Sequence, residues 1–543
     1  VDMTKDKFCI SFFLFLLTFT AIFFIACSQD SGIEIETTTE ATTGAATEAA
    51  TEAATEAIPL RTLRIGVPTR FLSETRDILR EEIFLQQLYV GLTRIGPDGR
   101  LFSEMLVDLP SRENEGISSD GLTYTFLLNR ELKWSDGGGV SAQQILETLN
   151  SYDSVKSQKV EWLQVFNKLD LTQSKVIDDR TLVLKLREPS AEFLTLSSRL
   201  PFLPIRTGTT DEEIYFISNG PFQIDTWSPD RASLIPNELW QDRIGNISSH
   251  EIDRLEFVGF KNFSAAKEAF LNGEIDALNL TVSQALDDLV LPVESQIQAK
   301  PRHITYGVFV NSQSTPFSAV ESRQALALGL SREKLLNLLS EEIQRGYTYT
   351  NSWIPPGIFG TDNSAGSSLS ESEELATDYW ARGLNNEDIT VELLYSSEDS
   401  LHTELAIELE VLWEERLPVQ VNLRPETAEE YFADLKTGSY QLAIGGWHGD
   451  YPDASNWLRP FVSDSDDNFL NFTDDTYDSF LDAADIANNR EVRFSEYARA
   501  HNHLVERGVI IPLLNPVSLT LVRSEFSSAV ATMFDFQGAW TFD

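Results

Sequence analysis

The segment from residue 389 to residue 444 alternates strand and helix patterns, and this order constrains the fold more than any other feature. Ile389–Leu393 alternates apolar and polar side chains, as a half-buried strand does, and Val419–Leu423 repeats the alternation. Between these two strands, four apolar residues fall on one face of a predicted helix, namely Leu405, Leu409, Leu412 and Trp413.

Two short signals place the next helix and strand. Thr427 with Glu430 has the pattern of a capping box, which begins a helix, and Gly438 is suited to end it. Gln441–Ile444 then predicts a third strand. The resulting β-α-β-α-β order is typical of an α/β domain, in which ligands bind where loops leave the ends of the strands.

The residues that follow this strand, 445–453, suit a site for an amino group. Gly445 and Gly446 are expected to take the backbone out of the strand, and Trp447 offers a rigid apolar wall. Asp450 could pair with an ammonium group through short charge-assisted hydrogen bonds. A surface turn rich in Gly, Pro and Asp fits the same residues, so both interpretations stay open at this point.

Length, charge and missing motifs narrow the function. A chain of 543 residues is too long for one core, so two or three domains are expected. The net charge of −42 at pH 7 argues against nucleic acid as a partner, because phosphates are bound by cations. The sequence has no phosphate-binding loop, zinc-protease motif or nucleophile elbow. We therefore predict that the protein is not an enzyme and uses neither a cofactor nor a metal.

The N-terminal region has the features of a targeting segment and a tether. Lys5 and Lys7 precede an apolar run, and Ala-Cys at its end resembles a bacterial lipoprotein signal. This predicts a signal peptide over 1–26 and lipidation of Cys27, with a retained transmembrane anchor as the alternative. Residues 27–60 are an acidic Thr/Glu/Ala tract that predicts an extended tether. Both interpretations place the bulk of the chain outside the cytoplasmic membrane, in the periplasm or at the cell surface.

Six motifs in the body, in order, resemble the solute-binding proteins of peptide ABC transporters, the oligopeptide- and dipeptide-binding family. The most characteristic is the pair of segments 120–126 and 133–137, which read DGLTYTF and KWSDG. The others are Tyr89-Val90-Gly91-Leu92, Asn219-Gly220-Pro221-Phe222, Asn272-Gly273-Glu274-Ile275-Asp276, Pro316-Phe317 with Arg323-Gln324-Ala325-Leu326, and Trp447-His448-Gly449-Asp450-Tyr451.

This resemblance implies an α/β fold of the type II periplasmic-binding-protein kind, a two-lobed clamp with an extra α/β domain inserted in the first lobe. Lobe I would comprise residues 61–96, 218–301 and 517–543, and the inserted domain residues 97–217. Lobe II would comprise residues 302–516. The lobes would close on an extended peptide that bonds through its backbone.

The resemblance also implies a role for individual residues. Asp450 would bind the α-ammonium group of the peptide, and Trp447 would form the neighbouring wall. His448 and Gly449 would offer backbone groups. His402 would meet the C-terminal carboxylate of the ligand, although an ordinary histidine at a helix start fits that position equally well.

Two departures from the family pattern put the far end of the ligand in doubt. Ile444 stands where some members carry an arginine for the carboxylate, and Leu513-Leu514-Asn515 replaces an aromatic run. The implied partners are short peptides, the permease subunits of an ABC transporter and, indirectly, its ATPase. A monomer held at a membrane through lipid on Cys27 is expected. The alternatives are the same clamp with a non-peptide cargo (an oligosaccharide, a nickel chelate or haem) or a ligand sensor.

Overall fold

The computed structural model describes residues 61–69, 72, 82–96, 101–153, 165–190, 192–198, 201–206, 216–240, 252–280, 294–358, 369–384, 389–487, 489–528 and 530. The predicted signal peptide, Cys27 and the tether lie outside these residues. Most of the described strands join one sheet of twelve strands, and a smaller sheet of three strands lies within residues 123–185.

The strands follow one another along most of the described chain. They are β1 (Thr62–Pro68), β2 (Arg94–Ile95), β3 (Leu101–Phe102), β4 (Thr123–Leu127), β5 (Lys175–Asp178), β6 (Thr181–Lys185), β7 (Phe222–Ser228), β8 (Arg231–Pro236), β9 (Arg254–Phe260), β10 (Ala277–Leu280), β11 (Ser295–Pro301), β12 (Ile304–Val310), β13 (Tyr347–Tyr349), β14 (Ile389–Ser396), β15 (Val419–Glu426), β16 (Leu442–His448) and β17 (Ile510–Arg523).

The helices lie between these strands and pack against them. They are α1 (Glu82–Leu88), α2 (Ala142–Asp153), α3 (Phe193–Leu196), α4 (Phe263–Leu271), α5 (Val320–Leu328), α6 (Arg332–Leu338), α7 (Glu341–Gly346), α8 (Glu373–Leu384), α9 (Ser400–Arg416), α10 (Ala428–Thr437), α11 (Ser455–Leu458), α12 (Asp475–Asp485) and α13 (Arg490–Glu506).

Strand β17 is shared by the two halves of the large sheet. Its residues Ile510–Leu514 pair with β12, and its residues Val517–Arg523 pair with β10 and β11. The strand order across the sheet is β15-β14-β16-β12-β17-β10-β1-β9-β8-β7. The chain passes between the halves a second time where β11 leads into β12. There, the backbone N–H of Arg302 donates to the carbonyl of Pro516 at 2.8 Å, which joins the two crossing segments.

The β-α-β-α-β prediction is confirmed for residues 389–448. Strand β14 pairs in parallel with β15 and with β16, and the two intervening helices are α9 and α10. The capping box of Thr427 and Glu430 is present, and Gly438 ends α10 with a φ of 68°. The helical face predicted for α9 is buried, because its four apolar residues pack in the core behind β14.

Both faces of this half of the sheet are covered. Val308 and Phe309 are neighbours in β12, and their side chains point to opposite faces, as they must in a strand. Val308 belongs to the apolar cluster that includes α9, whereas Phe309 packs with Trp353 and Trp457 on the other face. The strands extend beyond these two cores towards the crossing segments, so their ends supply the surface on which a site can form.

Candidate functional site

Gly445 and Gly446 remain inside strand β16, so the prediction that they take the backbone out of the strand is wrong. They pair with Gly307 and Tyr306 of the antiparallel strand β12. A Cβ atom on Gly445 would lie 2.4 Å from the ring of Phe309, and one on Gly446 would lie 3.0 Å from the ring of Tyr306. The glycines are therefore needed because aromatic rings lie directly on the strand from both sides.

The register of β16 decides which of its backbone groups face a possible ligand. The carbonyl of Ile444 accepts a hydrogen bond from the Tyr431 hydroxyl at 2.6 Å, so it points away from β12. Backbone groups in an antiparallel strand alternate between its two edges, which places those of Gly446 and His448 on the same edge as the Ile444 carbonyl. Strand β14 pairs with this edge only as far as Ala443.

The side chain of Trp447 and the backbone N–H of Gly449 both form hydrogen bonds within the protein. The Trp447 indole N–H donates to Oδ1 of Asn456 at 3.0 Å, and its half-buried ring meets Phe461 edge to face. The Gly449 N–H donates to the carbonyl of His303 at 2.9 Å. The N–H of Gly449 is therefore bonded within the protein, and Trp447 presents an aromatic surface beside it.

Asp450 and Asp453 follow β16 and lie in opposite environments. Asp450 is exposed, whereas Asp453 is completely buried. The carboxylate of Asp453 accepts hydrogen bonds from the backbone N–H and hydroxyl of Ser455 at 3.0 and 2.8 Å and pairs with Arg493 at 2.5 Å. Asp453 is therefore held inside the protein, whereas the Asp450 side chain is exposed to solvent at the end of the strand.

Asp453 also contacts helix α3, which is distant from it in the sequence. The hydroxyl of Thr195, in helix α3, donates to Oδ2 of Asp453 at 2.9 Å. Tyr451, next to Asp450, is buried in the same apolar cluster as Phe193 of α3. Its burial raises the pKa of the Tyr451 hydroxyl well above the ordinary value. The position of Asp453 two residues before Ser455 is a sequence signal for the local hydrogen bond between them. No sequence pattern pointed to Thr195 or Arg493.

His402 is buried at the start of α9, between two tyrosine rings. Its ring centroid lies 6.2 Å from that of Tyr306 and 5.6 Å from that of Tyr431. Burial lowers the pKa of His402, and Asp399, whose Oδ2 lies 4.0 Å from Nε2, opposes that shift. Nδ1 is buried and has no hydrogen-bond partner among the described residues. The neutral imidazole therefore retains one nitrogen that a ligand could use.

The predicted site residues fall into two groups at opposite ends of one edge. Trp447, His448, Gly449 and Asp450 are consecutive, whereas His402 lies beside Tyr306. Tyr306, which contacts His402, pairs with Gly446, and Asp450 is the fourth residue after Gly446. At a strand rise of about 3.3 Å per residue this is roughly 13 Å, the length of about four extended residues.

Two further features of the described residues concern membrane crossing and metal binding. None of their helices combines the length and the apolar composition that a membrane crossing requires. Within the same residues, no three His, Cys, Asp or Glu side chains are grouped so that they could hold a metal ion.

The family of bacterial extracellular solute-binding proteins, family 5, matches residues 112–469 in its middle region. The chain belongs to this family. It is 24% identical over 434 residues to the oligopeptide-binding protein OppA of Bacillus subtilis. The aligned residues cover 74% of this chain and 77% of that protein. It is also 24% identical over 468 residues to the periplasmic OppA of Salmonella typhimurium, covering 78% and 83% of the two chains.

A comparison of structures shows the fold. The protein matches the unliganded open form of the periplasmic murein tripeptide-binding protein MppA with a TM-score of 0.74 at 19% identity. The match covers 88% of this chain and 96% of MppA. The α/β fold is therefore that of the two-lobed type II periplasmic-binding proteins, as the sequence motifs implied. These two curated relatives are both named as oligopeptide-binding proteins.

Proposed function

We propose that this protein is an extracytoplasmic receptor that binds short peptides between two closing lobes and delivers them to an ABC permease for import. The observation that carries the proposal is the edge of β16 between Gly446 and Asp450. Its backbone groups alternate as in a strand, it lies beyond the pairing with β14, and it ends at an accessible carboxylate. The names of the relatives, oligopeptide-binding and murein tripeptide-binding, agree with such a ligand.

The roles of the site residues follow from this edge. An extended peptide would pair with the backbone of Gly446 and His448, so affinity would come from main-chain hydrogen bonds that tolerate varied side chains. Asp450 would pair with the α-ammonium group, and Trp447 would wall the first side chain. His402 would lie near the C-terminal end of a ligand of about four residues.

The proposed lobes have the boundaries that the resemblance to the family implies. Residues 61–96, 218–301 and 517–543 form lobe I, residues 97–217 form the inserted domain, and residues 302–516 form lobe II. The continuous strand β17 supports a hinge at the 516/517 boundary, because one strand pairs with both halves of the sheet there. Closure would bury a ligand held on β16.

Location and partners complete the proposal. Lipid on Cys27 would hold the receptor at a membrane, and the acidic residues of the tether would keep the body away from the lipid surface. Peptide-loaded receptor would then meet the permease as a monomer, with the ATPase acting through the permease. Copurification of the lipidated protein with its permease tests this part of the proposal.

The decisive experiment is native mass spectrometry of residues 61–543, followed by sequencing of whatever acid releases. Short peptides of mixed sequence are expected. A single non-peptide mass, such as an oligosaccharide, a nickel chelate or haem, would overturn the substrate class.

Calorimetry with the released peptides then tests Asp450. Losing one partner of a buried charge pair costs roughly 2–5 kcal/mol, so Asp450→Ala should weaken binding at least about thirtyfold. Asp450→Asn should do nearly the same, because it removes the charge and keeps the shape. Asp482→Ala, on the exposed face of α12, is the matched control and should bind as the wild type does. Unchanged affinity in Asp450→Ala would show that Asp450 does not hold the ammonium group.

A further inference from the structure

The departure at Ile444 leaves the ligand's carboxylate end without the arginine that some family members use. The Ile444 side chain is completely buried in the apolar cluster around α9, so it contributes nothing polar to the site. His402, with a pKa lowered by burial, supplies no full positive charge at neutral pH. In a chain with a net charge of −42, a bound carboxylate needs a local cation.

Arg302 lies where the chain crosses between the two halves of the sheet. Its backbone N–H donates to the carbonyl of Pro516, and Pro516 pairs with Tyr347 of β13. Arg302 directly follows β11 and therefore lies in line with Tyr347 across β17. Arg302 precedes β12 by two residues, and Tyr306 lies four residues further along the chain in that strand.

The aromatic rings connect Tyr347 to His402. The ring centroid of Tyr306 lies 6.1 Å from that of Tyr347 and 6.2 Å from that of His402. Burial raises the pKa of both tyrosine hydroxyls, the negative charge of Asp399 adds to that rise, and the positive charge of Arg302 opposes it. The guanidinium group is thus close enough to act on both hydroxyls.

No partner for the Arg302 guanidinium group is found among the residues that the structure describes. Its Nε is buried without a hydrogen-bond partner, and Arg302 forms no ion pair with any described residue. Nδ1 of His402 is likewise buried without a partner among the residues that the structure describes. Asp399 also lies nearby, where its Oδ1 accepts the N–H groups of Leu401 and His402 and caps α9, so Arg302 is the cation that offsets its charge.

We propose that Arg302 binds a carboxylate group of the peptide ligand, in the position that Ile444 leaves without charge, with the hydroxyls of Tyr306 and Tyr347 and Nδ1 of His402 as further donors. This proposal rests on the proposed peptide-binding function. A guanidinium group can donate two parallel hydrogen bonds to one carboxylate, which suits it to this task better than a lysine. The carboxylate belongs either to the ligand's C-terminus or to an acidic side chain.

The test is calorimetry of the wild type and Arg302→Gln with chemically matched peptides. The probes have the four-residue length that the site implies: Ala-Ala-Ala-Ala and its C-terminal amide differ only at the C-terminus, and the amides of Ala-Ala-Glu-Ala and Ala-Ala-Gln-Ala differ only in the side-chain charge. Hydrogen bonds to charged groups predict that Arg302→Gln weakens the matching carboxylate peptide about 10- to 100-fold, with less than about a twofold change for its neutral partner. The pair that responds identifies the source of the carboxylate.

Two variants separate recognition from general effects. Arg302→Lys keeps the charge but not the paired donors, so its affinity should lie between those of the wild type and Arg302→Gln. Arg345→Gln removes an exposed arginine whose ion pair with Glu341 spans 3.8 Å, and it should leave all four affinities unchanged. If Arg302→Gln changes the charged and neutral peptides equally, or changes neither, the carboxylate role is wrong while peptide binding stands. If the wild type binds no peptide of either kind, the receptor function itself is wrong.

Discussion

Gly449 is the position in the candidate site where the smallest change should have the largest effect. A Cβ atom added there would lie 2.0 Å from Cη2 and 2.4 Å from Cζ2 of Trp457, whereas ordinary contacts begin near 3.4 Å. Removing the overlap requires a displacement of about 1.4 Å, which a close-packed interior resists.

Neither side of this contact can move without loss. Trp457 is completely buried, and its carbonyl accepts the Trp353 indole N–H at 2.9 Å. The Gly449 N–H donates to the carbonyl of His303 at 2.9 Å. Overpacking costs about 1–3 kcal/mol, and a lost hydrogen bond costs about 0.5–1.5 kcal/mol more. We therefore expect Gly449→Ala to lower the free energy of unfolding by about 2–4 kcal/mol.

The same displacement should reach the ligand, because Asp450 is the next residue. A shift of about 1 Å lengthens a charge-assisted hydrogen bond beyond its working range, so peptide affinity should fall by about tenfold or more. Urea unfolding and calorimetry on the same preparations measure both effects. Gly139→Ala is the control, because a Cβ atom there meets nothing within 4 Å. A Gly449→Ala protein as stable and as tight-binding as Gly139→Ala would refute this account of the packing.

Three further predictions concern stability. Arg493→Met leaves the buried Asp453 carboxylate without its cation, so urea unfolding should show a loss of about 3–5 kcal/mol, and a loss below 1 kcal/mol would contradict the burial of that pair. The Nε2 atom of His501 accepts a hydrogen bond from the backbone N–H of Trp353, and burial lowers the pKa of this histidine. The unfolded state therefore binds more protons than the folded state, and the free energy of unfolding should fall as the pH drops below about 6.5. His501→Gln keeps the acceptor and should reduce this slope between pH 5 and 6.5, and an unaltered slope would exclude His501 as its source. Thr427→Ala removes the capping box of α10 and should cost about 1 kcal/mol by the same urea assay, with no change in peptide affinity.

Local signals predicted most of the α/β unit and its nearest site residues. The alternation at Ile389–Leu393, the helical face of α9 and the capping box at Thr427 act over a few residues, and the structure contains all three. The family motifs similarly led to the fold that the comparisons show. Asp450 could be proposed as a ligand-binding residue because a carboxylate beside glycine and tryptophan has a recognisable chemistry without any knowledge of its neighbours.

The sequence by itself determined the class of fold, the family and the candidate carboxylate, because each depends on residue types at short, readable spacings. Only the tertiary structure decided that Gly445 and Gly446 remain in β16, since the rings that require them belong to β12. It also decided that Asp453 is buried beside Thr195 and that Arg302 lies in line with Tyr347 across β17. These relations depend on strand register and on contacts between distant segments, and side-chain packing across a sheet sets them.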